Sequence, residues 1–177
     1  PVSVGNAPRV LVGDSAARDV VVDTEAVHAV FSTAGGVLKT WELKHYSQDG
    51  KPLEFVPVDL PDSLPRPFTL ATTDDGISKV LATAIYRPSA EGLTLGTAPG
   101  TLSFEYQDAS GLTARKVFHF QPDGKPYLVK VEASIAVNGA ARPVRLTSGP
   151  AVGLGYAPDG SRSVPSRAIQ MFAGKVK

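Results

Sequence analysis

The chain has 177 residues, a net charge of +1 and no cysteine. Lys and Arg are spread along it, so no basic stripe marks a nucleic-acid partner and nothing draws it to an acidic membrane surface; the absence of cysteine rules out a disulfide framework and thiolate chemistry, and fits an oxidising compartment. No apolar run approaches the roughly 18 residues of a membrane span, and no basic–apolar–small pattern opens the chain.

Residues 1–18 mix Pro, Gly, Asn, Ser and Ala without a period. They read as a linker that adds at most one edge strand. From Val20 the period is two. In "VHAVFST", Val27, Ala29 and Phe31 share one face, with His28 and Ser32 on the other. Gly35-Gly36 then joins this run to "VLKTWEL", where Val37, Trp41 and Leu43 share a face. A hairpin turn is the reading the flanking strands favour. The rival, a phosphate-binding glycine loop, needs a helix N-terminus after the glycines. The proline-rich run from Val56 to Phe68 reads as a loop, because proline cannot donate to a ladder.

Further on, Leu102, Phe104 and Tyr106 alternate with Ser103, Glu105 and Gln107. Leu112, Ala114, Phe118 and Phe120 share a face that Lys116 interrupts. The longest alternation sets Tyr127, Val129, Val131, Ala133, Ile135 and Val137 against Lys130, Glu132, Ser134 and Asn138, and its odd-numbered face is expected to be core. Such alternation marks antiparallel strands with one buried and one solvated face. Turn chemistry separates the runs at 48–51, 73–76, 108–111, 122–125 and 138–139, where Gly and Asn supply the positive φ of tight turns. The 17 glycines and 15 prolines agree with many short strands, and no segment shows a sustained 3.6 period. The expected fold is an all-β antiparallel sandwich or barrel with little helix.

Catalytic chemistry is not visible. His28, His45 and His119 lie far apart, without the local pairs of a zinc site. A G-x-S-x-G elbow is absent. Asp49, Asp74, Asp75, Asp108 and Asp123 fall in turns, where Asp serves the backbone. Glu42, Glu54, Glu105 and Glu132 lie in or beside strands, mostly facing solvent, and the facing pair a glycosidase needs is not readable. "GLGYAPDGSRSVPSR" reads as a solvated connection, with a mobile binding loop as the rival. No catalytic, cofactor-binding or metal residue is assigned, and no cofactor is expected.

Val20 to Tyr46, with Thr33, Gly35, Gly36, Leu43 and Tyr46 at its marked positions, resembles the start of the periplasmic domain of the YidC membrane-protein insertase family. "GKPLEFVP" is similar to its next segment, Phe118 to Gly139 to its hairpin and long central strand, and "RPVRLTSGPAVGLG" to the strand and Gly-Pro segment that follow. The likeness runs in order over about 19–175. It implies a β-supersandwich like that of galactose-mutarotase-like proteins, on the periplasmic side of the bacterial inner membrane. It further implies a non-enzymatic scaffold that helps insert and fold membrane proteins, alone or with the Sec translocon. Residues 1–18 are expected to follow an N-terminal membrane helix. Residues 19–177 are expected to form the sandwich, cut short at its C-terminal end, in a protein tethered to the membrane by segments absent from this chain. Sec components and nascent membrane proteins are the expected partners. The runner-up is a carbohydrate-binding or mutarotase-like protein, which needs a His acid and a Glu base converging in an aromatic-lined cleft. An adhesin-like module would need a calcium loop, which the sequence lacks.

Overall fold

A computed structural model describes residues 8–48, 50–57, 60–61, 64–149, 171–172 and 175–176. Two sheets face each other. The first runs β1 (Val10–Val12), β9 (Gly100–Asp108), β10 (Leu112–Phe120), β11 (Val129–Val137) and β12 (Ala140–Arg142), with β7 (Arg87–Pro88) also on β9. The second runs β5 (Lys51–Glu54), β4 (Val37–Gln48), β3 (Val27–Ser32), β2 (Asp19–Thr24) and β8 (Gly92–Gly96). Their pairings are antiparallel except β2 with β8, which is parallel. The fold is all-β, as alternation predicts. β6 (Thr69–Ala71) pairs with β13 (Arg145–Thr147) in a separate ribbon.

The core forms where the inner faces meet. Phe31 of β3 lies 5.9, 4.8 and 6.4 Å, ring to ring, from Phe104, Phe118 and Phe120 of β9 and β10. Phe31, Phe104 and Phe118 are fully buried. Each contributes about 1.5–3 kcal/mol through burial, and the tilted and edge-on ring geometries add to that. Alternation set this face: Val27, Ala29 and Phe31 are buried, while His28, Val30 and Ser32 between them are half-buried.

Several turns obey their chemistry. Asn138 (φ 51°) and Gly139 (φ 78°) both take left-handed backbone between the paired Val137 and Ala140, the pattern of a type I′ hairpin. Asp108, at the end of β9, turns inward instead of facing water. Its Oδ1 accepts from the N–H of Ser110 and Leu112, and its Oδ2 from the Tyr106 hydroxyl at 3.1 Å. Burial, reinforced by Asp108, pushes Tyr106 up to about 12.

The structure differs from the sequence reading in three places. The stretch at 73–76 is a helix start rather than a hairpin turn. Asp74 caps α1 (Asp75–Thr83), its side chain accepting from Ile77 N at 3.0 Å, and Asp75 occupies the first turn. An Asp before a helix satisfies an otherwise orphaned N–H and favours the positive end of the helix dipole. Second, the odd-numbered face of β11 is only partly core: Ile135 is buried, while Val129, Val131, Ala133 and Val137 are half-buried. β11 stands one strand from the sheet's edge, and β12 beyond it is three residues long. Third, Glu54 does not face solvent; its Oε1 accepts from Trp41 N and Val56 N, each at 2.7 Å. Asp49 lies outside the described residues, as does 155–167.

Candidate functional site

An apolar cleft of about 370 Å³ opens between the two sheets. Leu38, Trp41 and Leu43 of β4 form one side. Tyr127, Leu128 and Val129, at the start of β11, form the other, and Pro67 and Phe68 close one end. Trp41 sits on the apolar face that its alternation predicts and is 8% exposed. Leu128, 63% exposed, stands at the mouth. Beside it Tyr46 and Tyr127 meet edge-on at 5.6 Å, and the Tyr127 hydroxyl lies 3.4 Å from His45 Nδ1.

Glu54 fixes the Trp41 side of the cleft. Its carboxylate ties the backbone of β4 to the residues leaving β5. Burial pushes Glu54 up, against those N–H bonds, with Glu42 adding repulsion. Its second oxygen is buried and has no hydrogen-bond partner among the described residues.

The polar centre of the interior is Lys116. It is fully buried on the inner face of β10. Its Nζ donates to the carbonyls of Gly35 (2.6 Å), Gly36 (2.8 Å) and Phe68 (2.7 Å), and it stands 5.1 Å over the Tyr86 ring. The three donors of an ammonium are thus satisfied by three carbonyls. No carboxylate pairs with it among the described residues. Burial pushes its pKa down to about 7.

Gly35-Gly36 is therefore a turn between β3 and β4 and holds no phosphate. A strand follows it, and its carbonyls, which are acceptors, point at a lysine. Both glycines are left-handed (φ 73° and 56°). A Cβ on Gly35 would stand 2.7 Å from the Ala82 carbonyl oxygen, so only glycine fits. Alternation exposed Lys116 as an interruption of an apolar face but carried no sign of its partners, which lie 48 to 81 residues away.

The three histidines stay apart. His28 Nδ1 lies 2.9 Å from Asp23, and Asp23 is held low by Lys44 and then by His28. His119 Nε2 approaches Glu132 at 3.5 Å without a hydrogen bond. That pair sits on the outer, solvated face of the first sheet, beside Lys130, and not in the aromatic cleft. Among the described residues no group of three or more His, Asp and Glu side chains gathers as metal ligands, and no helix is long and apolar enough to cross a membrane.

Two facing, mostly antiparallel sheets, an apolar cleft and an interior organised around a structural lysine define an all-β sandwich domain. The comparisons give it a family. The YidC periplasmic domain family matches residues 19–152, and the chain belongs to that family. It is 35% identical over 127 residues to the membrane protein insertase YidC of Geobacter sulfurreducens, covering 68% of this chain and 22% of that protein. To the insertase YidC of Geobacter metallireducens it is 34% identical over 128 residues, covering 71% and 23%. To that of Geotalea daltonii it is 28% identical over 138 residues, covering 72% and 24%. The chain thus spans about a quarter of the length of these relatives.

Proposed function

We propose that this domain is a non-catalytic scaffold on the periplasmic side of the bacterial inner membrane. It offers surface to Sec translocon components and to emerging membrane proteins, while the rest of a YidC-type insertase performs insertion. The observation that supports this reading is the family match over 19–152. Composition argues the same way: a net charge of +1 gives little long-range steering, so contact rests on local shape and a few apolar groups. The exposed Leu128 and Tyr46 are such groups. The loop from Pro57 to Pro67 and the stretch from Gly155 to Arg167 are the other candidates, since proline limits the entropy lost on docking.

Deletion of the domain from the full-length protein tests this. Basal insertion of small substrates should persist, and co-purification of Sec subunits should weaken. Abolished basal insertion overturns the scaffold reading. Gly-Ser replacement of each stretch then locates the contact, and unchanged pull-down for both replacements removes them as the surface.

A further inference from the structure

Phe68 occupies a position that favours glycine. The Thr69 N–H returns to the Arg66 carbonyl at 3.2 Å, closing a tight turn with Pro67 second and Phe68 third. Phe68 has φ 70°. Proline second and a left-handed third residue is the pattern of a type II turn, which takes Gly or Asn at that third place. A bulky side chain there is an outlier, and such strain persists only where the surroundings over-determine it.

The surroundings do. The Phe68 N–H donates to Thr147 O at 2.8 Å, and its carbonyl accepts from Lys116 Nζ at 2.7 Å. Its ring stands edge-on to Phe118 at 5.1 Å and lines the cleft with Leu38 and Trp41. Lys116 is anchored independently by Gly35 and Gly36, so its third N–H reaches Phe68 from a fixed point. Glycine would make the same turn without strain and leave the cleft without a wall. We propose that Phe68 is a strained wall of the apolar cleft and that Lys116 is the positioning residue that holds it there. Lys116 thus latches the left-handed Phe68 in place and keeps its ring on the cleft. The latch stands whichever partner the domain meets.

The test compares Phe68→Gly, Phe68→Ala and Lys116→Met in the 177-residue chain, whose only tryptophan is Trp41. Both Phe68 variants lose the ring, so acrylamide quenching of Trp41 rises in each. Phe68→Gly melts about 2–4 °C above Phe68→Ala, because glycine accepts the left-handed backbone. The usual order, Ala above Gly, overturns the strained wall. Lys116→Met, measured far below its melting temperature, should raise Trp41 quenching with the Phe68 ring still present; unchanged quenching overturns the latch. The link is also read without substitution, which covers a Lys116→Met chain that fails to fold. In the wild-type chain held well below pH 7, where Lys116 is charged, its ammonium protons should be protected from exchange and show NMR correlations to the carbonyl carbons of Gly35, Gly36 and Phe68. Loss of the Phe68 correlation alone overturns the role of Lys116.

Discussion

Lys116 Nζ stands 2.6 Å from the carbonyl oxygen of Gly35, a residue 81 positions earlier in the chain and on the opposite side of the sandwich. This bond joins the central strand of one sheet to the turn that folds the other back on itself. The turn needs two left-handed glycines, and the lysine needs acceptors in place of water. Each meets the other's requirement, so a residue that breaks the hydrophobic pattern becomes a cross-tie between the two sheets.

The lysine makes stability depend on pH in a defined direction. Its folded pKa, pushed down to about 7 by burial, lies below the 10.5 of an ordinary lysine. Between those values the unfolded chain binds the extra proton, so stability rises with pH. Well below pH 7 both states are charged and this dependence vanishes. Urea unfolding of wild type and Lys116→Met from pH 6 to 10 checks it. The difference between the two chains should change as pH rises through about 7, in favour of wild type.

Gly35→Ala should destabilise far more than Gly50→Ala. Both glycines are left-handed. A methyl group on Gly35 meets the Ala82 carbonyl at 2.7 Å, whereas one on Gly50 meets nothing within 4 Å. The backbone conformation alone costs roughly 1–2 kcal/mol, and Gly35→Ala adds the clash. Equal melting temperatures for the two variants would contradict the turn geometry.

Trp41→Phe should keep the fold at a cost of about 1–2 kcal/mol, since the indole fills one side of the cleft and the phenyl ring fills most of the same volume. Glycan titration should leave the fluorescence of wild-type Trp41 unchanged. Quenching by a monosaccharide below millimolar concentration would instead favour a sugar-binding cleft.

Burial along β11 predicts graded sensitivity. Ile135 is 3% exposed, so Ile135→Ala should cost about 2–4 kcal/mol. Val131 sits half-buried opposite Phe118, so Val131→Asp should cost about 1–3 kcal/mol by leaving a carboxylate partly desolvated. A Val131→Asp chain that melts like wild type would place this face of β11 in water.

Much of the sandwich was legible in the amino-acid order, because a strand's two faces are written in neighbouring residues. Trp41, Leu102 and Phe104 alternate with polar partners and are all buried. The Asn138-Gly139 turn was legible for a similar reason, since left-handed backbone is a local demand. Helix α1 was legible in principle, through Asp74 at its cap and the spacing of Ile77, Val80 and Leu81, but nine residues make too short a run for the period to stand out. What the order of residues left open was long-range. The parallel pairing of β8 with β2, the three carbonyls around Lys116 and the left-handed Phe68 each depend on groups brought together from distant segments. A lysine in an apolar face can be solvated, paired or capped by carbonyls, and the residues beside it do not choose among these. Only the tertiary structure, by excluding water and fixing which backbone oxygens remain within reach, decided that Lys116 would hold the turn at Gly35 and Gly36 and the wall at Phe68.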